Sequence, residues 1–357
     1  MSAMKARRRR PRRPAGVVLG ACVALLLAAC ATGTPDPTVS TAAPTLEPNK
    51  AAVAEPELPA VWPLTGEAGE IVNRPALAVK IENTAVARPQ SGLNQADVVW
   101  ETIVEFEVSR LVAVFHSEVP DEIGPIRSVR PMDTAITSPL NGLLAFSGGQ
   151  PGILAMVAAS PVQALSHDSG VDGMYRLKSR SAPHNVYATP TTLWSQADAE
   201  HQNSPDQQFA FARSADQASA VVAGAPATRL DFRLSGQSSP AWEWNGEVWQ
   251  RWEGSTPATD AADDTQVHAD NVVSIVAAHP NTEFGAQNGA PVPTYTLVGT
   301  GTGTLATGGK TVDVTWQKDS ESAPMKLFLA DGTEATLAPG NTWVELVPAE
   351  TGSLTVS

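Results

Sequence analysis

The side chains best equipped for chemistry sit in three proline-marked loops: Arg88-Pro89-Gln90-Ser91, Gly124-Pro125-Ile126-Arg127-Ser128-Val129-Arg130-Pro131 and Ala182-Pro183-His184-Asn185. A guanidinium offers a rigid fork of donors that matches a carboxylate or a phosphate, and an imidazole changes charge near neutral pH. Such residues concentrate on loops held by a rigid scaffold. Arg88, Gln90, Ser91, Arg127, Ser128, Arg130, His184 and Asn185, with Glu101 from a neighbouring strand, therefore form the candidate ligand-binding set. His184 is the candidate general acid or base, with Asn185 to orient it, although a lone histidine more often satisfies backbone groups. The competing account of the basic residues is structural. Arg88, Arg110, Arg127, Arg130, Arg176 and Arg180 would pair with Asp97, Glu101, Glu105 and Glu107 and lock the loops to a sheet. Beyond the N-terminal signal-like segment the sequence holds no zinc-protease histidine pair, no Gly-x-Ser-x-Gly elbow and no Ser-x-x-Lys motif, so three familiar hydrolytic chemistries lack their signatures there. The expectation is a binding protein rather than an enzyme, with no cofactor and no metal.

The chain of 357 residues is 42% hydrophobic and 17% charged, a globular composition with room for two domains. Seven of its 24 basic residues fall in the first 30 positions, where there is no acid, which leaves 17 bases against 37 acids in the remainder. A polyanion near −20 repels nucleic acid and anionic headgroups, so no nucleic-acid partner is expected. Behind the basic start, the apolar run Val17 to Ala29 falls short of the ~20 residues a membrane span needs and fits the core of a secretory signal. It ends in Leu27-Ala28-Ala29-Cys30, which resembles the bacterial lipobox. Cleavage there would make Cys30 the acylated N-terminus and discard Cys22 with the signal, leaving no thiol for a disulfide. The alternatives are an uncleaved anchor or a soluble secreted chain. Residues 31–60 have the Thr-, Pro- and Ala-rich composition of a linker, able at ~3.1 Å per residue to reach roughly 90 Å.

The elements that must position the loops follow from periodicity. Ala76 to Ile81, Asp97 to Glu107 and Leu111 to His116 are dense in branched and aromatic residues and read as strands. Ile153 to Leu165 and Thr192 to Glu200 read as helices, the second opened by Pro190. Beyond about Phe211 short strands dominate: Asn271 to Ala277, Val312 to Trp316, Met325 to Leu329 and Trp343 to Val347. Trp242-Glu243-Trp244-Asn245-Gly246-Glu247-Val248-Trp249 predicts a hairpin with a two-residue Asn-Gly turn, which pairs Trp244 with Glu247 and Trp242 with Trp249. Its three indoles on one face suit core packing better than a sugar platform. Asp260 to Asp264 reads as a solvated acidic loop, and Gly299 to Gly303 as an irregular strand or turn. The fold class is therefore α+β: a mixed N-terminal domain with a central sheet (61–210), then a smaller, mainly antiparallel β domain (211–357).

Four motifs in fixed order carry a family resemblance: Ala87 to Leu93, Ala96 to Glu101, Gly124 to Pro131 and Ala182 to Tyr187, with Leu337 to Trp343 near the end. They resemble the YerB-like bacterial lipoproteins, a two-part domain of unknown function, from about Trp62 onward. The resemblance implies a two-part architecture, export and an extracytoplasmic location on the cell membrane through the N-terminal lipid. It implies no activity. The expected partners are a cell-wall fragment, an anionic small molecule or another envelope protein. Two further readings stand beside ligand binding: a wall hydrolase or transferase using His184, and a scaffold contacting partners through the C-terminal sheet.

Overall fold

The computed structural model describes residues 59–286 and 289–357. The signal segment, Cys30 and nearly all of the linker lie outside the described residues.

Continuous runs of buried residues make the centre of the main sheet. β1 (Leu77–Glu82), β2 (Val98–Ile103) and β3 (Ser109–Phe115) are buried along their whole length, the pattern of strands covered on both faces. β3 lies between β1 and β2 and is antiparallel to both. β4 (Leu143–Phe146) and β5 (Gln163–Ser166) add in parallel beyond β1. On the other side the sheet continues through strands from far along the chain. Thr342–Pro348 pairs in parallel with β2, Asn271–Ala277 in parallel with that strand, and Gly299–Thr307, Lys310–Lys318 and Lys326–Phe328 follow antiparallel. A second sheet is built on Arg229–Arg233, Pro240–Trp244 and Trp249–Glu253, with Ser353–Val356 on its edge. A small pair, β6 (Met174–Arg176) and β7 (Val186–Ala188), carries the third motif loop between its strands. The helices α1 (Met132–Thr137), α2 (Pro151–Ala159), α3 (Pro190–Trp194) and α4 (Ser219–Ala223) are all short. The protein is mostly sheet.

Several local expectations change. The helix expected over 153–165 ends at Ala159, because Pro161 cannot supply a helical N–H and Gln163 onward pairs with β4 instead. The helix expected over 192–200 stops at Trp194 and continues as turns. Gly299–Thr307 is a regular strand. Asp260 is completely buried, accepting N–H bonds from Gly92, Asn94 and Ala262 at 2.9 Å each, so it fastens the first motif loop rather than solvating a surface.

The tryptophan hairpin is offset by two residues: Trp244 faces Trp249 and Trp242 faces Arg251. The Asn245 side-chain oxygen accepts from the N–H groups of both Glu247 and Val248, which closes a four-residue loop in place of the two-residue turn. A shift of two preserves the faces, since side chains alternate with period two. Trp242 and Trp249 are fully buried and Trp242 Nε1 donates to Glu345 at 2.9 Å, so this face is core.

Candidate functional site

Lys80 and Glu82 interrupt an apolar strand, and alternation puts both on one face of β1. The register sets Glu82 opposite Arg110 on β3, and Arg110 opposite Thr102 on β2, so one sheet face collects these groups. Buried charge must be paired. Lys80 donates to Asp133 on α1 at 2.7 Å and to Thr102 at 3.1 Å, and burial against Arg110 and Arg130 still lowers its pKa to about 8. Glu101 points to the opposite face of β2. There it meets Glu345, its register partner, and both are bound by the buried Arg251, at 2.5 Å and 2.8 Å respectively. Arg251 also lies over the Trp343 and Trp242 rings, 4.5 and 5.4 Å from their centroids. Burial and the neighbouring Glu101 charge raise the Glu345 carboxyl well above its ordinary range. The network joins the two sheets.

The three motif loops are stitched to each other and to β1 by backbone bonds. Glu82 N donates to Pro125 O, Arg127 N to Lys80 O, Ile126 N to Val186 O and Ser91 N to Gly124 O, at 2.6–2.9 Å. Each loop carries a cis X-Pro bond, at Arg88-Pro89, Gly124-Pro125 and Ala182-Pro183. Ile126 and Val129 are buried, which turns Arg127, Ser128 and Arg130 toward a common hollow.

That hollow is a cavity of about 550 Å³ between the loops and the β2–β3 turn, lined by Glu82, Glu105, Arg110, Arg127, Ser128, Arg130 and His184 among others. Arg130 is committed internally: Nε donates to Glu105 Oε2 at 2.6 Å, Nη2 to Oε1, and Nη1 to Val129 O at 2.7 Å. Arg110 shares the same carboxylate at 3.3 Å and donates to Ser128 O at 2.8 Å. Burial alone would raise the Glu105 carboxyl, but the bonds from Arg130 and the charge of both guanidiniums outweigh it and bring it down to about 2. Arg127 is different. It has one 3.4 Å bond to Pro183 O and stands 3.5 Å from Glu82 without a hydrogen bond, its Nε left unpartnered. His184 Nδ1 lies 2.9 Å from both Glu82 oxygens, and Thr84 donates to the same carboxylate at 2.8 Å. A carboxylate only accepts, so Nδ1 carries the proton, and Nε2 makes no protein hydrogen bond among the described residues.

The charge count explains what the cavity can do. Three guanidiniums face two buried carboxylates, Glu82 and Glu105, while Asp168 stands at the rim with its side chain 68% exposed. Burial, with Arg130 and Arg127 crowding it, lowers the Arg110 pKa to about 9. The interior therefore lacks one counter-charge.

The remaining candidates stand elsewhere. Arg88 bonds Asn83 and pairs with Glu253 at 2.7 Å; Gln90 bonds the Glu82 carbonyl and Asn83; Ser91 is tied through its backbone to Gly124. Asn185 accepts from Arg176 at 2.8 Å and bonds the carbonyls of Leu177 and Arg180, while Arg180 caps the carbonyls of Ala87 and Pro89. The structure thus brings Arg127, Ser128, Arg130 and His184 together and leaves Arg88, Gln90, Ser91, Glu101 and Asn185 outside the cavity lining. Of the acids named as arginine partners, Glu105 takes Arg110 and Arg130, and Glu101 takes Arg251. Glu82 and Phe106 were missed. A charge at each alternate position of an apolar strand was the available signal for Glu82; Phe106 gave none.

Two family models match the chain: the N-terminal domain of a protein of unknown function, DUF3048, over residues 64–203, and its C-terminal domain over residues 230–344. The chain belongs to this family. A curated relative, the putative lipoprotein YerB of Bacillus subtilis, is 26% identical over 302 residues, covering 80% of this chain and 86% of the relative. The crystal structure of YerB from Bacillus subtilis matches with a TM-score of 0.69 at 22% identity, over 84% of this chain and all of that one, and shows the shared fold. All the cavity-lining residues except Ala286 fall within the N-terminal DUF3048 match. No helix among the described residues is long and apolar enough to cross a membrane.

Proposed function

We propose that this DUF3048 protein is a membrane-anchored extracytoplasmic lipoprotein whose folded part binds an anionic group in the arginine cavity, without turning it over. The single supporting observation is the missing counter-charge: Arg127, Arg110 and Arg130 around two buried carboxylates, with Arg127 scarcely hydrogen-bonded. A carboxylate or phosphate would accept from Arg127 and from His184 Nε2 in its protonated form. The lipobox-like Leu27-Ala28-Ala29-Cys30 and the putative lipoprotein relative support anchoring through Cys30. Calorimetric titration with acetate and inorganic phosphate tests the site. Arg127→Ala should weaken binding at least tenfold while changing stability by less than about 1 kcal/mol, since its ion contact is partly exposed. Equal affinity of wild type and variant would remove the proposal. A second reading, acid–base chemistry, is favoured by the Glu82–His184 pair, whose carboxylate fixes the imidazole as an orienting group does for a general base. It requires turnover lost in His184→Ala and retained in Arg88→Ala.

A further inference from the structure

The turn between β2 and β3 has a feature that anion binding does not explain. Phe106 and Glu107 both lie at positive φ, 62° and 59°, where two-residue hairpin turns favour Asn-Gly. A side chain there strains the backbone, and such strain persists only where the surroundings hold it. They do so on both sides. Glu105 is clamped by Arg130 and Arg110, and Glu107 accepts from Ser235 Oγ at 2.6 Å and from Gly236 N at 3.1 Å. What the turn displays is the Phe106 ring, 58% exposed, more than any other phenylalanine among the described residues. Phe106 lines the arginine cavity and also a second cavity of about 600 Å³ on its far side, whose walls include Arg233, Ser235, His279 and Asn281.

We propose that Phe106 is the stacking platform of one groove formed by the two cavities, and that its ligand is an acidic saccharide. The carboxylate meets the surplus guanidinium charge, and the flat C–H face of the sugar ring lies on Phe106. The walls favour a hydroxylated ring over a purely apolar one. The side chains of Gln150 on the arginine side and Asn281 on the other make no protein hydrogen bond among the described residues, and they offer bonds that an apolar anion would leave unmade. The inference rests on the anion-site reading and assigns that site its ligand class.

The test is ligand-observed NMR titration of the full-length chain with glucuronate, acetate, benzoate and glucose. Wild type is expected to bind glucuronate at least tenfold more tightly than acetate, and glucose not at all. Phe106→Gly should erase the preference by weakening glucuronate binding about tenfold; glycine adopts positive φ freely, so the turn is kept, as an unchanged melting temperature would verify. Phe106→Tyr should restore the preference. Equal binding of acetate and glucuronate by wild type overturns the saccharide assignment and spares the anion site. So does benzoate binding more tightly than glucuronate, or a Phe106→Gly variant that keeps the preference. Failure of acetate and glucuronate alike to bind wild type overturns both.

Discussion

Glu105 is the one carboxylate between two buried guanidiniums, and replacing it by glutamine removes the charge while keeping the shape. Its carboxyl is held at about 2 against an ordinary 4.5. At about 1.4 kcal/mol per tenfold in proton affinity, that difference corresponds to roughly 3 kcal/mol, and water at the cavity mouth reduces it to about 2 kcal/mol. A carboxyl with a depressed folded-state pKa stabilises fully above its unfolded value and loses the contribution as pH falls toward the folded one. Urea unfolding of wild type and Glu105→Gln should therefore differ by about 2 kcal/mol at pH 7 and at pH 5, and the gap should narrow below about pH 4.5. Added sulfate at pH 7 should also narrow it, because the variant leaves Arg110 and Arg130 without a counter-ion that sulfate can supply. A gap under about 0.5 kcal/mol at pH 7 would refute the reasoning. So would one that stays constant to pH 3.

Other outcomes follow from the same physics. Burial and the Glu101 charge push the Glu345 carboxyl up while Arg251 holds Glu101 down, so Glu345→Gln should cost less than Glu101→Gln, which leaves Arg251 undercompensated and should cost about 3 kcal/mol; the reverse order in urea unfolding would contradict this division of charge. Cys30→Ser should move the protein from the membrane pellet to the soluble fraction after cell fractionation, and retention in the pellet would contradict lipid anchoring.

Much of the scaffold was legible in the sequence because unbroken β-branched runs have few other uses. Asn271 to Ala277 is the strand the pattern predicts, residue for residue. The pairing of Thr342–Pro348 with β2 was not legible, since nothing local in a strand says that its partner lies more than 200 residues away. The hairpin offset had a local origin instead. The Asn245 side chain outcompetes the Asn-Gly turn by accepting two backbone N–H groups, a tertiary-independent choice that dipeptide preference does not rank. At the site, the loops that hold Arg127, Ser128, Arg130 and His184 were visible as proline-marked motifs. Which members share a cavity was not, because strand alternation sends Glu101 to one face of β2 and Thr102 to the other, and that depends on register. Phe106 was invisible for another reason: a phenylalanine beside a strand reads as core, and only the positive φ at the turn turns its ring outward.

The most direct test of the missing counter-charge is an anomalous difference map from a crystal soaked in selenate. The account predicts a selenium peak inside the cavity within ~3–4 Å of the Arg127 guanidinium and the His184 imidazole. Selenate bound at other surfaces, with only water between Arg127, Arg110 and His184, would contradict it.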